Sequence, residues 1–149
     1  MADDLTHLRS EFIEKIGLIA QTDGLPRIAG RLLGLMIWDG ETVSFSDLAH
    51  QLQVSRGSIS TASRILEDRR LIKRVAKPGE RQDYFQLSER PYASLLAAIQ
   101  VVMERAQEDI DQTLEQIPES EAGVRDRVSA YSKFYALTSK ALGGLIDEV

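Results

Sequence analysis

Between Ser55 and Arg64 the chain reads SRGSISTASR, a glycine and several hydroxyls set between two arginines. Hydroxyls donate to or accept from most polar edges, and guanidinium groups match guanine edges or phosphate oxygens. With Ile59, Ala62, Ile65 and Leu66 turned inward at helical spacing, Gly57, Ser58, Ser60, Thr61 and Arg64 face outward, with Arg56 at the leading end. Gly57 and the short hydroxyls let such a helix sit deep in a major groove. Ser55 caps its N-terminus, where unpaired N–H groups suit a phosphate. The same residues also fit a plain solvated face on which Ser55 does nothing but cap.

The next segment supplies cations. Leu71 to Val75 and Gln82 to Leu87 are short β-prone runs joined by Ala76-Lys77-Pro78-Gly79-Glu80-Arg81, and the Pro-Gly pair predicts a hairpin. Arg81 is placed for a narrow minor groove, where negative potential concentrates. Lys73, Arg74 and Lys77 are placed for phosphates. Arg69 and Arg70 are assigned instead to Glu67 and Asp68 or to the helix C-terminus. From Ser55 to Phe85 eight Arg and Lys face four acids, a local +4 in a chain of net charge −5, which leaves −9 for the rest. One basic patch on an acidic body attracts phosphate locally.

Other chemistries find little support. The chain has no cysteine, which excludes disulfides and thiolate metal sites and fits a reducing cytoplasm, the expected location. His7 and His50 stand apart from ligand-spaced carboxylates, so no metal is expected. No phosphate-binding glycine loop, nucleophile motif or paired acid and base is present, and neither catalysis nor a cofactor is expected. Trp38, Tyr131, Phe134 and Tyr135 could line a small-molecule pocket between helices, although aromatics at such spacing also serve simply as core. The polar N-terminus is unlike a signal peptide, and no apolar run approaches membrane-spanning length.

The elements that must position these residues follow from periodicity. Leu5, Leu8, Phe12, Ile16 and Ile19 form a narrow helical stripe that packs either on the chain's own core or on a partner subunit. Pro26 opens a second helix, apolar on most faces from Ile28 to Trp38, with Gly30 and Gly34 leaving one side flat for close approach. Asp39-Gly40 ends it, and Val43 adds a short strand beside the hairpin. Ser44, with Asp47 three residues on, starts a helix that turns Phe45, Leu48, Ala49 and Leu52 inward. Gln53-Val54 is the turn, at a position that commonly holds glycine because it needs a left-handed backbone; glutamine there costs about 1 kcal/mol. Ser88 is a candidate cap for a long helix with Pro91 in its first turn, running to Pro118 with seam-like spacing from Tyr92 to Ile117. A last helix, Glu121 to Ile146, repeats that pattern. Two such helices pack most economically on a second copy.

The runs GLPRIAGRLLGLM, FSDLAHQLQVSRGSISTASRILEDRRLIKRV and KPGERQDYFQLSE resemble the MarR-type winged-helix regulators, particularly the GbsR-like branch, over Leu25 to Glu89. The resemblance implies that Arg56, Ser58, Ser60, Thr61 and Arg64 face double-stranded DNA and that Arg81 enters the minor groove, followed by Leu87-Ser88 as relatives close with Leu-Thr. Gly79 stands where many relatives have an aspartate that braces this arginine, a role open here to Glu80 or Asp83. It further implies a homodimer on an inverted-repeat operator, often with a small-molecule effector. The expected fold is mainly α with a small β-wing. Residues 1–23 form an N-terminal dimerisation helix, 24–90 the winged helix-turn-helix, and 91–149 the C-terminal dimerisation helices. The competing reading is a winged helix for protein–protein assembly, its basic patch meeting an acidic partner.

Overall fold

A computed structural model describes residues 1–149. In order, it contains α1 (Ala2–Thr22), α2 (Arg27–Asp39), β1 (Val43–Ser44), α3 (Phe45–Leu52), α4 (Arg56–Asp68), β2 (Ile72–Val75), β3 (Tyr84–Leu87), α5 (Pro91–Gln116) and α6 (Ala122–Ile146). The fold is mainly α with a small wing, in agreement with the sequence. None of these helices is long and apolar enough to cross a membrane. The chain divides into two compact units, Met1–Pro91 and Tyr92–Val149.

In the first unit α1 packs on α2 through glycine. A Cβ on Gly30 would lie 2.5 Å from both the Ala20 Cβ and the Ile16 carbonyl oxygen, and one on Gly34 would lie 3.1 Å from the Ile16 Cβ. The backbones therefore touch where side chains normally intervene. Residues 1–23 share one compact unit with the winged helix. Within the single chain the buried face of α1 is Ile13, Gly17 and Ala20, whereas Leu5, Leu8 and Ile19 of the expected stripe are 51–57% exposed, which leaves them for the partner-subunit alternative. Small residues bring this helix closest to α2, with Ile13 buried beside them.

Polar contacts lock the same crossing. Glu14 accepts hydrogen bonds from Arg27 at 2.8 Å and Arg31 at 2.9 Å, and Arg9 makes a two-pronged contact with Asp39 at 2.8 and 2.7 Å. Burial pushes the Glu14 carboxyl up, but the hydrogen bonds and charges of Arg27 and Arg31 outweigh it and hold the group below its ordinary range. Beneath this layer lies the core, in which Leu32, Leu35, Met36, Leu48, Leu52, Ile59, Leu66 and Phe85 are fully buried.

The sheet has the order β1-β3-β2, all antiparallel, with Val43 opposite Phe85 and Val75 opposite Tyr84. Both hairpin strands are shorter than the sequence predicts. Leu71 is taken up in closing α4, its N–H bonding to the Leu66 carbonyl at 3.0 Å, and the Asp83 carbonyl accepts from Phe45 N–H at 2.9 Å. Ser88 does not cap α5. Its hydroxyl donates to the Arg70 carbonyl at 2.9 Å, and the helix begins at Pro91, where a missing N–H costs nothing.

The second unit is a pair of helices joined through polar groups. Gln100 donates to the Ser139 carbonyl at 2.9 Å, Ser132 donates to Asp111, and Arg125 reaches the Leu114 and Ile117 carbonyls at 3.2 and 2.6 Å. Ser132 and Ser139 are buried, while Val101, Val102, Val124, Tyr131, Phe134, Leu137 and Leu145 are exposed. Large apolar side chains thus stand outside in a single chain.

The glycine crossing is directly testable. Gly30→Ala is expected to lower the urea midpoint of unfolding by the equivalent of about 1–3 kcal/mol, the usual cost of overpacking. An unchanged midpoint would mean that the two backbones are not in contact.

Candidate nucleic-acid interface

Two short helices and a hairpin position the outward-facing residues. Ser44 starts α3 by accepting the Asp47 N–H at 3.1 Å. The helix closes at Gln53, whose backbone is left-handed (φ 55°, ψ 48°); Gln53 N–H bonds to the His50 carbonyl and Val54 N–H to the Ala49 carbonyl. This is a Schellman motif carried by a glutamine. The chain leaves it extended, and Ser55 at once caps α4 by accepting the Ser58 N–H at 3.1 Å. A second Schellman motif ends α4 at Arg70 (φ 60°), again without glycine. Two left-handed residues therefore set the angle of α4 and the point at which the chain turns into the wing.

Ile59, Ala62 and Leu66 fix the inward face of α4 at zero exposure. Ser55, Arg56, Gly57, Thr61 and Arg64 are exposed, and Ser58 and Ser60 are half-buried. The Ser58 hydroxyl lies 3.0 Å from the Ser55 hydroxyl, within the cap. It also lines a cleft of about 400 Å³ with Glu14, Arg27, Ile28, Arg31 and Val54. Arg56 lies across the Phe45 ring at 4.7 Å and donates to the Ser46 hydroxyl at 3.4 Å. Its guanidinium is thus held at the junction of α3 and α4.

On the hairpin, Gly79 takes up φ 79° at the tip, as the Pro-Gly pair predicts. Lys77 sits over the Tyr84 ring at 4.2 Å. Arg74 is engaged on both sides, donating to Asp83 at 2.8 Å and to Glu67 at 3.1 Å. The Glu67 hydrogen bond, opposed by burial and joined by the charges of Glu67 and Asp83, raises its pKa further. The sequence assigned Arg74 to phosphate and Glu67 to Arg69 or Arg70; the structure joins Arg74 and Glu67 to each other. It also gives Asp83 to Arg74, so Asp83 does not brace Arg81. Arg64, Lys73 and Arg81 are exposed and enter none of the ion pairs.

The aromatic residues considered for a ligand fall in different places. Trp38, in the first unit, packs at a tilt against Phe12, with ring centroids 5.5 Å apart. In the second unit Tyr131, Phe134 and Tyr135 form a ring cluster with centroids 5.0–6.4 Å apart, and the two tyrosine hydroxyls are 2.9 Å from each other. Tyr131 and Phe134 are more than half exposed, so this cluster is not core. A cleft of about 510 Å³ beside it is lined by Asp109, Ile110, Thr113, Arg127, Val128 and Tyr131.

A two-helix base, a capped pair of helices and a basic hairpin define a winged helix-turn-helix. Residues 35–82 match the MarR family model. The chain is 41% identical over 85 residues to the HTH-type transcriptional regulator MmpR5 of Mycobacterium tuberculosis (strain ATCC 25618 / H37Rv), which covers 56% of this chain and 52% of that protein. It is 25% identical over 95 residues to the HTH-type transcriptional repressor OpcR of Bacillus subtilis (strain 168), covering 64% of this chain and 51% of the relative. The chain thus spans about half the length of the curated relatives it matches. A crystal structure of a transcriptional regulator superposes with a TM-score of 0.82 at 28% identity, over 94% of this chain and 96% of the other.

The strained turn predicts a gain in stability. Gln53→Gly is expected to raise the urea midpoint, by up to about 1 kcal/mol, because glycine takes up a left-handed backbone without steric cost. An equal or lower midpoint would show that Gln53 is not strained.

Proposed function

We propose that this chain is a sequence-specific, DNA-binding transcriptional regulator of the GbsR-like branch of MarR proteins, acting in the cytoplasm as a homodimeric repressor. One observation carries the reading: a capped helix exposes Arg56, Gly57, Thr61 and Arg64 beside a hairpin that exposes Lys73 and Arg81. The local charge of +4 in a chain of −5 supports the same assignment. So do the descriptions of its relatives, one a transcriptional regulator and one a transcriptional repressor. In this reading Thr61 and Arg64 meet base edges with Ser60, Arg56 and Lys73 meet phosphates, and Lys77 follows the backbone nearer the tip. Arg81 enters the minor groove. Ser55, Gly57 and Ser58 bring the N-terminus of α4 close to a phosphate.

Homodimer formation is supported by the apolar side chains that α5 and α6 leave in water. Two copies would place two recognition helices on an inverted repeat, with half-site centres about one helical turn, roughly 34–36 Å, apart. A small-molecule effector that changes this separation would release the operator, because both helices could no longer reach their grooves. The cleft beside Tyr131, with the Phe134 and Tyr135 rings nearby, is the proposed place for it; Trp38, held against Phe12, has a packing role.

Two measurements bear on this reading. Arg81→Ala is expected to weaken binding to a selected duplex and to flatten the slope of log K against log salt by about 1 unit if a phosphate-directed charge is lost. Unchanged affinity and slope would remove the wing from the interface. Leu137→Glu is expected to convert a species of twice the chain mass into a monomer in light scattering, and a wild-type monomer at micromolar concentration would contradict the dimer.

A further inference from the structure

We propose that Arg74 is a positioning residue that clamps the wing to the recognition helix and makes no phosphate contact of its own; the proposal rests on the regulator reading above. Three groups from two separate parts of the chain converge on its guanidinium. Glu67 in the last turn of α4 accepts at 3.1 Å, Asp83 just before β3 accepts at 2.8 Å, and the ring of Phe85 on β3 lies 5.3 Å away. A planar fork with five N–H donors serves two carboxylates and an aromatic face together, which a point-charge ammonium does not.

The charge balance points the same way. One guanidinium facing two carboxylates leaves a local net of −1, which does not favour a phosphate at this spot. The geometry also shows what the clamp holds. Residues 76–81 of the hairpin are all exposed, and no core side chain anchors them. Asp83, two residues after Arg81, is the first point on that side of the tip with a charged link to α4 through Arg74. A recognition helix and a wing must reach neighbouring grooves at once, so their spacing affects affinity. Gly79 at the tip has no side chain to brace its neighbours, and the charged contact with α4 lies at the root of the hairpin.

The two roles for Arg74 predict opposite signs. If Arg74 contacts phosphate, Asp83→Ala frees a cation and removes a negative charge from a DNA-facing surface, and binding tightens. If Arg74 is a clamp, Asp83→Ala and Glu67→Ala each weaken binding to a selected duplex by about threefold or more. Arg74→Lys then performs as poorly as Arg74→Ala, although it keeps the charge. Amide hydrogen exchange on the free protein gives an independent readout: residues 76–83 should exchange faster in Arg74→Ala and Asp83→Ala, with α1 and α2 unchanged. Tighter binding by Asp83→Ala, wild-type affinity in Arg74→Lys, or unaltered exchange across 76–83 would each overturn the clamp. If the wild-type protein bound no duplex even at low salt, the regulator reading would fall and the exchange result alone would decide whether Arg74 holds the wing.

Discussion

Phe85 is completely buried, and the parts of the winged helix that must keep a fixed relation are attached to it. Its strand pairs with β1 on one side and β2 on the other. Its ring meets Phe45, the first residue of α3, at 6.3 Å, and the Arg74 guanidinium covers it at 5.3 Å. A strand has a side-chain period of two, so a one-residue slip of β3 would carry Phe85 to the solvent side and move every hairpin residue with it. Burial of one aromatic ring therefore sets the register of the wing, and the register sets where Arg81 stands.

Around that fixed strand, much of the geometry comes from places where the backbone is forced close or turned left-handed. Gly30 lets α1 and α2 meet backbone to backbone, and Gln53 and Arg70 adopt left-handed conformations that give α4 its angle and its end. Each left-handed non-glycine residue costs about 1 kcal/mol. The fully buried side chains on both sides of these turns, Leu48 and Leu52 before Gln53 and Ile59 and Leu66 after it, offset that cost by leaving water. The charged contacts work at the rim. Glu14 with Arg27 and Arg31 ties α1 to α2, and Arg31 also donates to the Leu52 carbonyl at 3.1 Å, so the base of the unit is linked to the end of α3.

What the sequence made legible was local. Ser44 and Ser55 are caps because a hydroxyl before an apolar-periodic run has few other uses, Asp39-Gly40 and Pro78-Gly79 are turns for steric reasons, and Gln53 is left-handed because two helices must be joined in two residues. The long-range pairings were not legible. Arg74 meets Asp83 only because β2 and β3 pair with Val75 opposite Tyr84, and no composition rule chooses Glu67 over its neighbours. The seat of α1 on α2 at Gly17 and Ala20 was not legible, because periodicity weights large residues although flat faces are what a tight crossing requires. Ser88 resembles a cap in isolation, but its hydroxyl is spent on Arg70. The spacing of α5 and α6 correctly gave amphipathic helices, and the apolar faces they expose indicate a surface that a single chain does not cover.

The face formed by α4 and the wing is proposed to read duplex sequence, and selection from random double-stranded DNA by the purified protein at moderate salt tests this most directly. The account predicts enrichment of an inverted repeat whose half-site centres lie about one helical turn apart, roughly 34–36 Å. Failure to retain any duplex, even at low salt where phosphate contacts are strongest, would contradict it and would favour an acidic protein as the partner of the basic patch.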